Sequence, residues 1–372
     1  IMEDKNTTIL NDKTDINISE LLGREEVQFD NTIASEYIRG KVVMVTGAGG
    51  SIGSEILRQL VKLEPKRIVA IDIYENGIYE TQQDLIFDGL NNVDLVVEIM
   101  SVTDWGKLEL LHRKYKPNIV FHAAAHKHLP FMENNPEEAV KNNVFGSAIT
   151  MMLSEKYNVK KYILISTDKA ANPTSVLGAT KRITELIMQT MSAKSHRTSY
   201  CAVRFGNVIE SNGSVIPLLK RQLKKGGPLT ITHKDMERYM MTIPEAVNLV
   251  LTAGGIANNG EIFVLDMGKQ VNILSLAENL IRHTGLTPYK DIDIKFTGIR
   301  AGEKLSEQLI TENESLQKTQ IDKIYKLESK EFDYDTFNEN LRDLEDFTYR
   351  NDSELIMKQL KILLPEYRDN KI

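Results

Sequence analysis

One cysteine, Cys201, leaves the sequence without the means for an internal disulfide. Its setting in the apolar run Tyr200 to Val203 predicts a buried strand residue in a reducing, cytoplasmic protein. No apolar stretch approaches the length a bilayer span requires, so no membrane-crossing helix is expected. Positive charge is not in excess: 46 Lys and Arg stand against 52 Asp and Glu, a formal net charge of −6, which gives no electrostatic footprint for nucleic acid and leaves room for local basic patches toward a phosphorylated small molecule. Internal repeats and low-complexity tracts are missing too. The opening, IMEDKNTTILNDKTD, lacks the basic-then-apolar pattern of a secretory signal and reads as a solvated leader. What remains is ordinary for a globular protein, with 372 residues, 41% hydrophobic and 26% charged, enough for one full domain and a smaller lobe.

Residues 1–17 carry too little apolar surface to pack, and residues 18–40 are expected to lie on the outside of the first domain. From Lys41 the texture changes. Short apolar runs at 42–46, 67–72, 94–99, 118–124, 161–167 and 199–205 have the form of buried parallel strands. Between them, 52–63, 105–115 and 137–156 repeat with helical period. That alternation predicts an α/β fold, a doubly wound parallel sheet with a smaller C-terminal α/β lobe. The expected divisions are a leader and packing segment over 1–40, the sheet domain over 41–205, the lobe mixed with returning sheet elements over 206–328, and a helical tail over 329–372. An amphipathic helix near Leu355 to Leu364 should stop at Pro365.

The segment VVMVTGAGGSIGSEIL sets Gly47, Gly50 and Gly53, with Ser51 and Ile52, directly after a strand and at the opening of a helix. Glycines there let the backbone approach a pyrophosphate, which the helix N-terminus then meets with unpaired N–H groups. A glycine turn alone could be a plain connection; strand, spacing and helix together predict a dinucleotide site. Asp72 closes the second run, where a carboxylate accepts from an adenosine ribose and repels a 2′-phosphate, favouring NAD over NADP. Ala123 and Ala124 in HAAAHKH let a cofactor lie against the backbone, and Lys127 suits an anionic ligand. His122, His126 and His128 lack the carboxylate and cysteine partners of a metal site, so no metal is expected.

The most informative segment is ISTDKAANPTSVLGATKRITEL. Thr167, Asp168 and Lys169 leave the fifth run at the edge where an α/β sheet places its ligands, and Lys181 lies in the helix that follows. In the usual short-chain dehydrogenase pattern a tyrosine stands four residues before such a lysine; here that position is Leu177. Asp168 and Lys169 are either a chemical pair or a surface ion pair worth roughly 0 to 1 kcal/mol. Beyond the sixth run, Asn207 and Ser214 occupy a glycine-containing loop able to hydrogen-bond a sugar diphosphate or simply to turn. IRAGEK brings together Arg300, whose guanidinium suits phosphate, and Glu303, which can accept from ribose hydroxyls. Arg238 is as well explained by a structural role at a domain junction.

TGAGGSIG, HAAAHKHLPFME, STDKAANPTSVLGATK, RFGNVIESNGSVIP, RYMMTIPEA and IRAGEKLSEQL, in this order, resemble the UDP-N-acetylglucosamine 4,6-dehydratase family, extended short-chain dehydrogenases of bacterial polysaccharide pathways. The likeness covers residues 18–328, and ISELLGREEV resembles the long, usually membrane-anchored branch, implying a soluble member or the catalytic portion of an anchored parent. It implies an NAD-binding Rossmann domain, a UDP-N-acetylhexosamine substrate held through Arg300 and Glu303, and a homo-oligomer. The implied reaction oxidises C4, removes water across C5 and C6, and returns the hydride to C6. With C4 a ketone, a neutral Lys169 can take the C5 proton while a protonated Asp168 donates to the departing C6 hydroxyl. Burial, Lys181 and the nicotinamide cation are expected to push Lys169 toward neutrality. Asp168, or a water on Thr167, would take the C4 proton, with Lys181 on the nicotinamide ribose. Two other readings stay open: a 4-epimerase, which relies on the tyrosine that Leu177 replaces, and a catalytically silent NAD-binding regulator.

Overall fold

The computed structural model describes residues 30–88, 93–328 and 333–369; the leader and most of the first packing segment lie outside the described residues. The six apolar runs form β1 (Val42–Thr46), β2 (Arg67–Asp72), β3 (Leu95–Ile99), β4 (Ile119–His122), β5 (Lys161–Thr167) and β6 (Ser199–Phe205). Successive side chains of a strand point to opposite faces. Val43 and Val45 accordingly enter one core with Ile68, Phe121 and Ile163, while Met44 enters another with Val69, Val120 and Tyr162. A sheet buried on both faces needs apolar residues at nearly every position, which is why these strands read as continuous runs rather than alternations.

Helices α1 (Thr32–Ile38), α2 (Ser51–Leu60), α3 (Glu75–Phe87), α4 (Trp105–Tyr115), α5 (Gly146–Lys156) and α6 (Val176–Lys194) cover the two faces. The stretch expected as one helix over 137–156 is interrupted: Pro136–Ala139 forms one short turn and Val140–Phe145 winds as a wider π-helix before α5 begins. Three further strands extend the sheet. β7 (Glu261–Leu265) runs parallel to β6, and the antiparallel β8 (Ser315–Lys318) and β9 (Ile324–Glu328) follow. The order is β8-β9-β7-β6-β5-β4-β1-β2-β3, a doubly wound Rossmann-type sheet whose winding reverses between β1 and β4.

Residues 206–328 contribute to a core of their own and to both faces of the sheet. α7 (Val215–Lys224) and α9 (Ile273–His283) join Leu229, Ile231 and Ile294 in a third cluster away from the sheet. α8 (Ile243–Ile256) instead lays Ala246, Val247, Val250 and Ala253 on the main sheet's core, where the Tyr37 hydroxyl of α1 donates to the Leu251 carbonyl. The tail is a pair of helices, α10 (Tyr334–Tyr349) and α11 (Ser353–Leu363), docked through Phe337, Leu344, Ile356 and Leu360. Among the described residues no helix is long and apolar enough to cross a membrane.

Candidate active site

The site lies where β1, β4, β5 and β6 end. Gly47 leaves β1 at φ 70°, and a Cβ there would stand 2.6 Å from the Ala124 backbone nitrogen, so only glycine lets this turn meet the loop that follows β4. Gly50 is the N-cap of α2, Ser51 and Ile52 open the helix, and Gly53 is buried in its first turn. Ala123 donates its N–H to the Thr46 carbonyl, which ties the β4 loop to the glycine turn. Asp72, at the end of β2, accepts from the Gly49 N–H at 2.8 Å and from the Tyr74 N–H at 2.8 Å. The carboxylate therefore braces the turn itself, a duty that its position in the sequence did not reveal.

His122 is buried between Thr46 Oγ1, 2.7 Å from Nδ1, and Ser147 Oγ, 2.8 Å from Nε2. Burial first, and then the charge of Lys181, push it down to about 3, so it stays neutral. His126 lies 3.4 Å from Glu138, His128 packs beside Gly213, and no cluster able to hold a metal exists among the described residues. Lys127 is exposed on the same loop. Asn143, in the π-helical stretch, accepts the His126 N–H and donates to the His126 carbonyl and Thr180 Oγ1. Sequence reasoning passed over Asn143. The wider helical turn is the feature that turns its side chain to this loop, and such turns often mark functional sites.

Thr167 ends β5, and Asp168–Ala170 forms one tight 3-10 turn. Gly178, in the first turn of α6, allows the helix to sit flush on this turn, since a Cβ there would meet the Lys169 carbonyl oxygen at 2.4 Å. Asp168 is fully buried. Its Oδ1 accepts from Thr167 Oγ1 at 2.9 Å and from Lys169 Nζ at 3.0 Å, whereas Oδ2 has no hydrogen-bond partner. Lys169 Nζ also donates to Asn207 Oδ1 at 3.1 Å and lies 3.5 Å from Glu307 Oε1. Asn207 thus joins the Lys169 amine.

Two anions act against the expected drive of Lys169 toward neutrality. Burial does pull the amine down, but Asp168 and Glu307 outweigh it and raise its pKa above the ordinary lysine value. Glu307, distant in sequence, is an anion that sequence reasoning did not place beside Lys169. Lys181 behaves in the opposite way: it is buried, donates to the Ile165 carbonyl at 2.6 Å, and burial pushes it down to about 8. Leu177 is buried one helical turn before it.

Behind the turn lies a buried ionic cluster that the sequence did not disclose. Arg204 of β6, fully buried, donates to Glu185 of α6 at 3.0 and 2.7 Å and to Glu314 at 3.0 Å. Arg182 joins Glu185 at 3.1 Å and Glu314 at 3.2 Å, and Ser166 Oγ donates to Glu185 at 2.6 Å. Glu314 thereby anchors the segment that carries Arg300, Glu303 and Glu307. The same segment is fastened at its start, where Lys304 donates to the Ala171 carbonyl at 2.9 Å and Thr174 to the Gly302 carbonyl at 3.0 Å.

Arg300 is exposed, and Glu303 accepts from its backbone N–H and from Arg238 at 3.3 Å. Arg238 also donates to the Glu237 and Leu305 carbonyls, a bracing position between two segments. Ser214 is the N-cap of α7, with a buried Oγ that has no hydrogen-bond partner. The loop before it reaches the glycine turn, where the Asn212 N–H donates to Ser51 Oγ at 3.0 Å.

Compared with known proteins, residues 43–329 match the family described as polysaccharide biosynthesis protein. The capsular polysaccharide biosynthesis protein CapD of Staphylococcus aureus is 47% identical over 317 residues, which are 85% of this chain and 53% of CapD. The chain thus spans about half the length of that relative. A UDP-glucose 4-epimerase of Rickettsia rickettsii is 32% identical over 335 residues, 87% of this chain and 95% of the relative. Among solved structures, Pen from Bacillus thuringiensis is similar with a TM-score of 0.73 and 33% identity, covering 79% of this chain and 89% of Pen.

Proposed function

The chain belongs to the polysaccharide biosynthesis protein family, and from that premise we propose that it is an NAD-dependent 4,6-dehydratase of UDP-N-acetylglucosamine, forming a UDP-4-keto-6-deoxy-N-acetylhexosamine. The observation that carries this reading is the buried Asp168–Lys169 pair at the end of β5, with Leu177 where a hydride-transfer tyrosine would stand. The glycine cradle fits a dinucleotide: Gly47, Gly50, Ser51, Ile52 and Gly53 would hold the pyrophosphate, Asp72 the adenosine ribose, Ala123 and Ala124 the flat face, and Lys181 the second ribose. NAD, when bound, supplies the oxidation at C4 and the matching reduction at C6.

The chain's own residues carry the elimination. Once C4 is a ketone, the C5 proton is acidic, and a neutral Lys169 amine accepts it. The C5–H electron pair forms the C5–C6 double bond, the C6–O bond breaks, and Asp168 delivers its proton to the departing hydroxyl, releasing water. Lys169 is then an ammonium and Asp168 a carboxylate, the ion pair found in the structure at 3.0 Å. After the reduction at C6 the Lys169 ammonium returns a proton to C5 and is an amine again, while the Asp168 carboxylate is free to take the C4 hydroxyl proton of the next sugar and become the acid again. The resting ion pair and the reactive neutral pair thus differ only in where one proton lies. Asp168 or a water on Thr167 serves C4 deprotonation, and Lys127, Asn207, Ser214, Arg238, Arg300 and Glu303 border the sugar-nucleotide space. The division at residues 205 and 206 corresponds in this reading to cofactor and substrate halves, in a cytoplasmic homo-oligomer.

The likeness to a UDP-glucose 4-epimerase supports a second reading, 4-epimerisation of the same class of substrate. Incubation with UDP-N-acetylglucosamine in deuterated water, followed by NMR of the product, separates the two. A 4-keto-6-deoxy sugar carrying deuterium at C5 is expected. A C4 epimer with its C6 hydroxyl intact would replace the first reading by the second.

A further inference from the structure

Glu307 has no place in the elimination as drawn, yet its burial and neighbours are those of a working group. Its side chain is 3% exposed, on the segment held down by Lys304 at one end and Glu314 at the other. Glu307 Oε1 lies 3.5 Å from Lys169 Nζ, on an amine that Asp168 and Asn207 already engage. Oε2 has no hydrogen-bond partner and lies 3.7 Å from the Lys304 amine. Gln270 Nε2 donates to the Glu307 backbone carbonyl at 2.7 Å, fixing the main chain from a third element. A buried carboxylate left half unsatisfied costs free energy unless a charge nearby compensates it. Here those charges are the Lys169 ammonium first, then Lys304 and Arg238.

We propose that Glu307 is a positioning residue that holds the Lys169 amine at Asp168 and sets the pH at which that amine becomes neutral. The inference rests on the reading of Lys169 as the base of the elimination. The charged groups acting on Lys169 are Asp168 from its own turn, Glu307 and Lys304 from the 300–314 segment, and Arg238 from the strand Glu237–Arg238. Of these only Asp168 and Glu307 are anions. With both present the ammonium is the resting form; with Glu307 neutralised, one anion faces Arg238, Lys304 and the burial of the site. Removing an anion lowers an amine's pKa, so the neutral base appears at lower pH.

The test compares wild type, Glu307→Gln and Glu307→Asp in two measurements on the full chain. The first is the pH dependence of dehydration. The Gln variant should move its rising limb toward acid by about 1 to 3 pH units, the range for an opposite charge at this separation, while Asp should keep the wild-type limb. A structural role alone would lower activity without moving the limb. The second is direct titration of 13C-lysine-labelled protein by NMR, with the Lys169 resonance assigned by its loss in Lys169→Met. It reads the same shift without turnover. If wild type turns over no sugar nucleotide but the Lys169 resonance moves as stated, the functional reading fails and Glu307's control of the amine stands. If the Lys169 titration of a folded Glu307→Gln protein coincides with that of wild type, the inference is overturned.

Discussion

Removing Arg204 should destabilise the protein more than any surface substitution, and the arrangement around it sets the size. Arg204 is fully buried, with its guanidinium shared between Glu185 and Glu314 and one further bond to the Leu309 carbonyl at 3.0 Å. Arg204→Met fills much of the volume but leaves two buried carboxylates with Arg182 as the remaining guanidinium between them. Breaking a buried pair from one side costs about 3 to 5 kcal/mol. That is a large part of the roughly 5 to 15 kcal/mol by which a domain is stable. Urea unfolding followed by circular dichroism measures it. The loss should also depend on pH with a definite sign. Burial works against a charged Glu185, and Arg204 overcomes it, holding the carboxyl down to about 2 from an ordinary 4.5. A carboxyl depressed in the folded state contributes stability above its unfolded pKa and loses it as pH falls toward the folded value. The gap between wild type and Arg204→Met should therefore be full above about pH 5 and narrow between pH 4.5 and 2. A loss below about 1 kcal/mol at pH 7, the scale of an exposed pair, would refute the reasoning.

Three further outcomes follow from the geometry. Gly47→Ala forces a Cβ against the Ala124 backbone at positive φ; equilibrium dialysis should find NAD affinity reduced at least tenfold, and unchanged affinity would contradict the cradle. Asp168→Asn and Lys169→Met should each lose dehydration, by product NMR, while NAD affinity measured by calorimetry stays within about twofold of wild type; normal turnover by both would falsify their roles. Arg300→Ala removes an exposed guanidinium, so the KM for the sugar nucleotide should rise with little change in kcat, and a kcat effect alone would place Arg300 elsewhere.

The strands β1 to β6 were legible because each is buried on both faces, and a run of apolar residues between turn signals has few other uses. β7, β8 and β9 were not. EIFVL is a short run inside a region of loops, and β8 has all four residues exposed, so neither periodicity nor composition marks it; pairing with β9 defines it. The break between Ala139 and α5 escaped notice because VKNNVF keeps a helical apolar spacing while its hydrogen bonds widen.

What the sequence determined by itself was the six strands β1 to β6, the glycine turn, and the adjacency of Thr167, Asp168 and Lys169, since neighbours in the chain need no folding to be neighbours in space. Only the tertiary structure decided the charge on Lys169 and the support behind it. Glu307 and Glu314 come from more than a hundred residues downstream, and the protonation of a buried amine depends on the summed field of every charge within a few ångströms, wherever in the chain those charges originate.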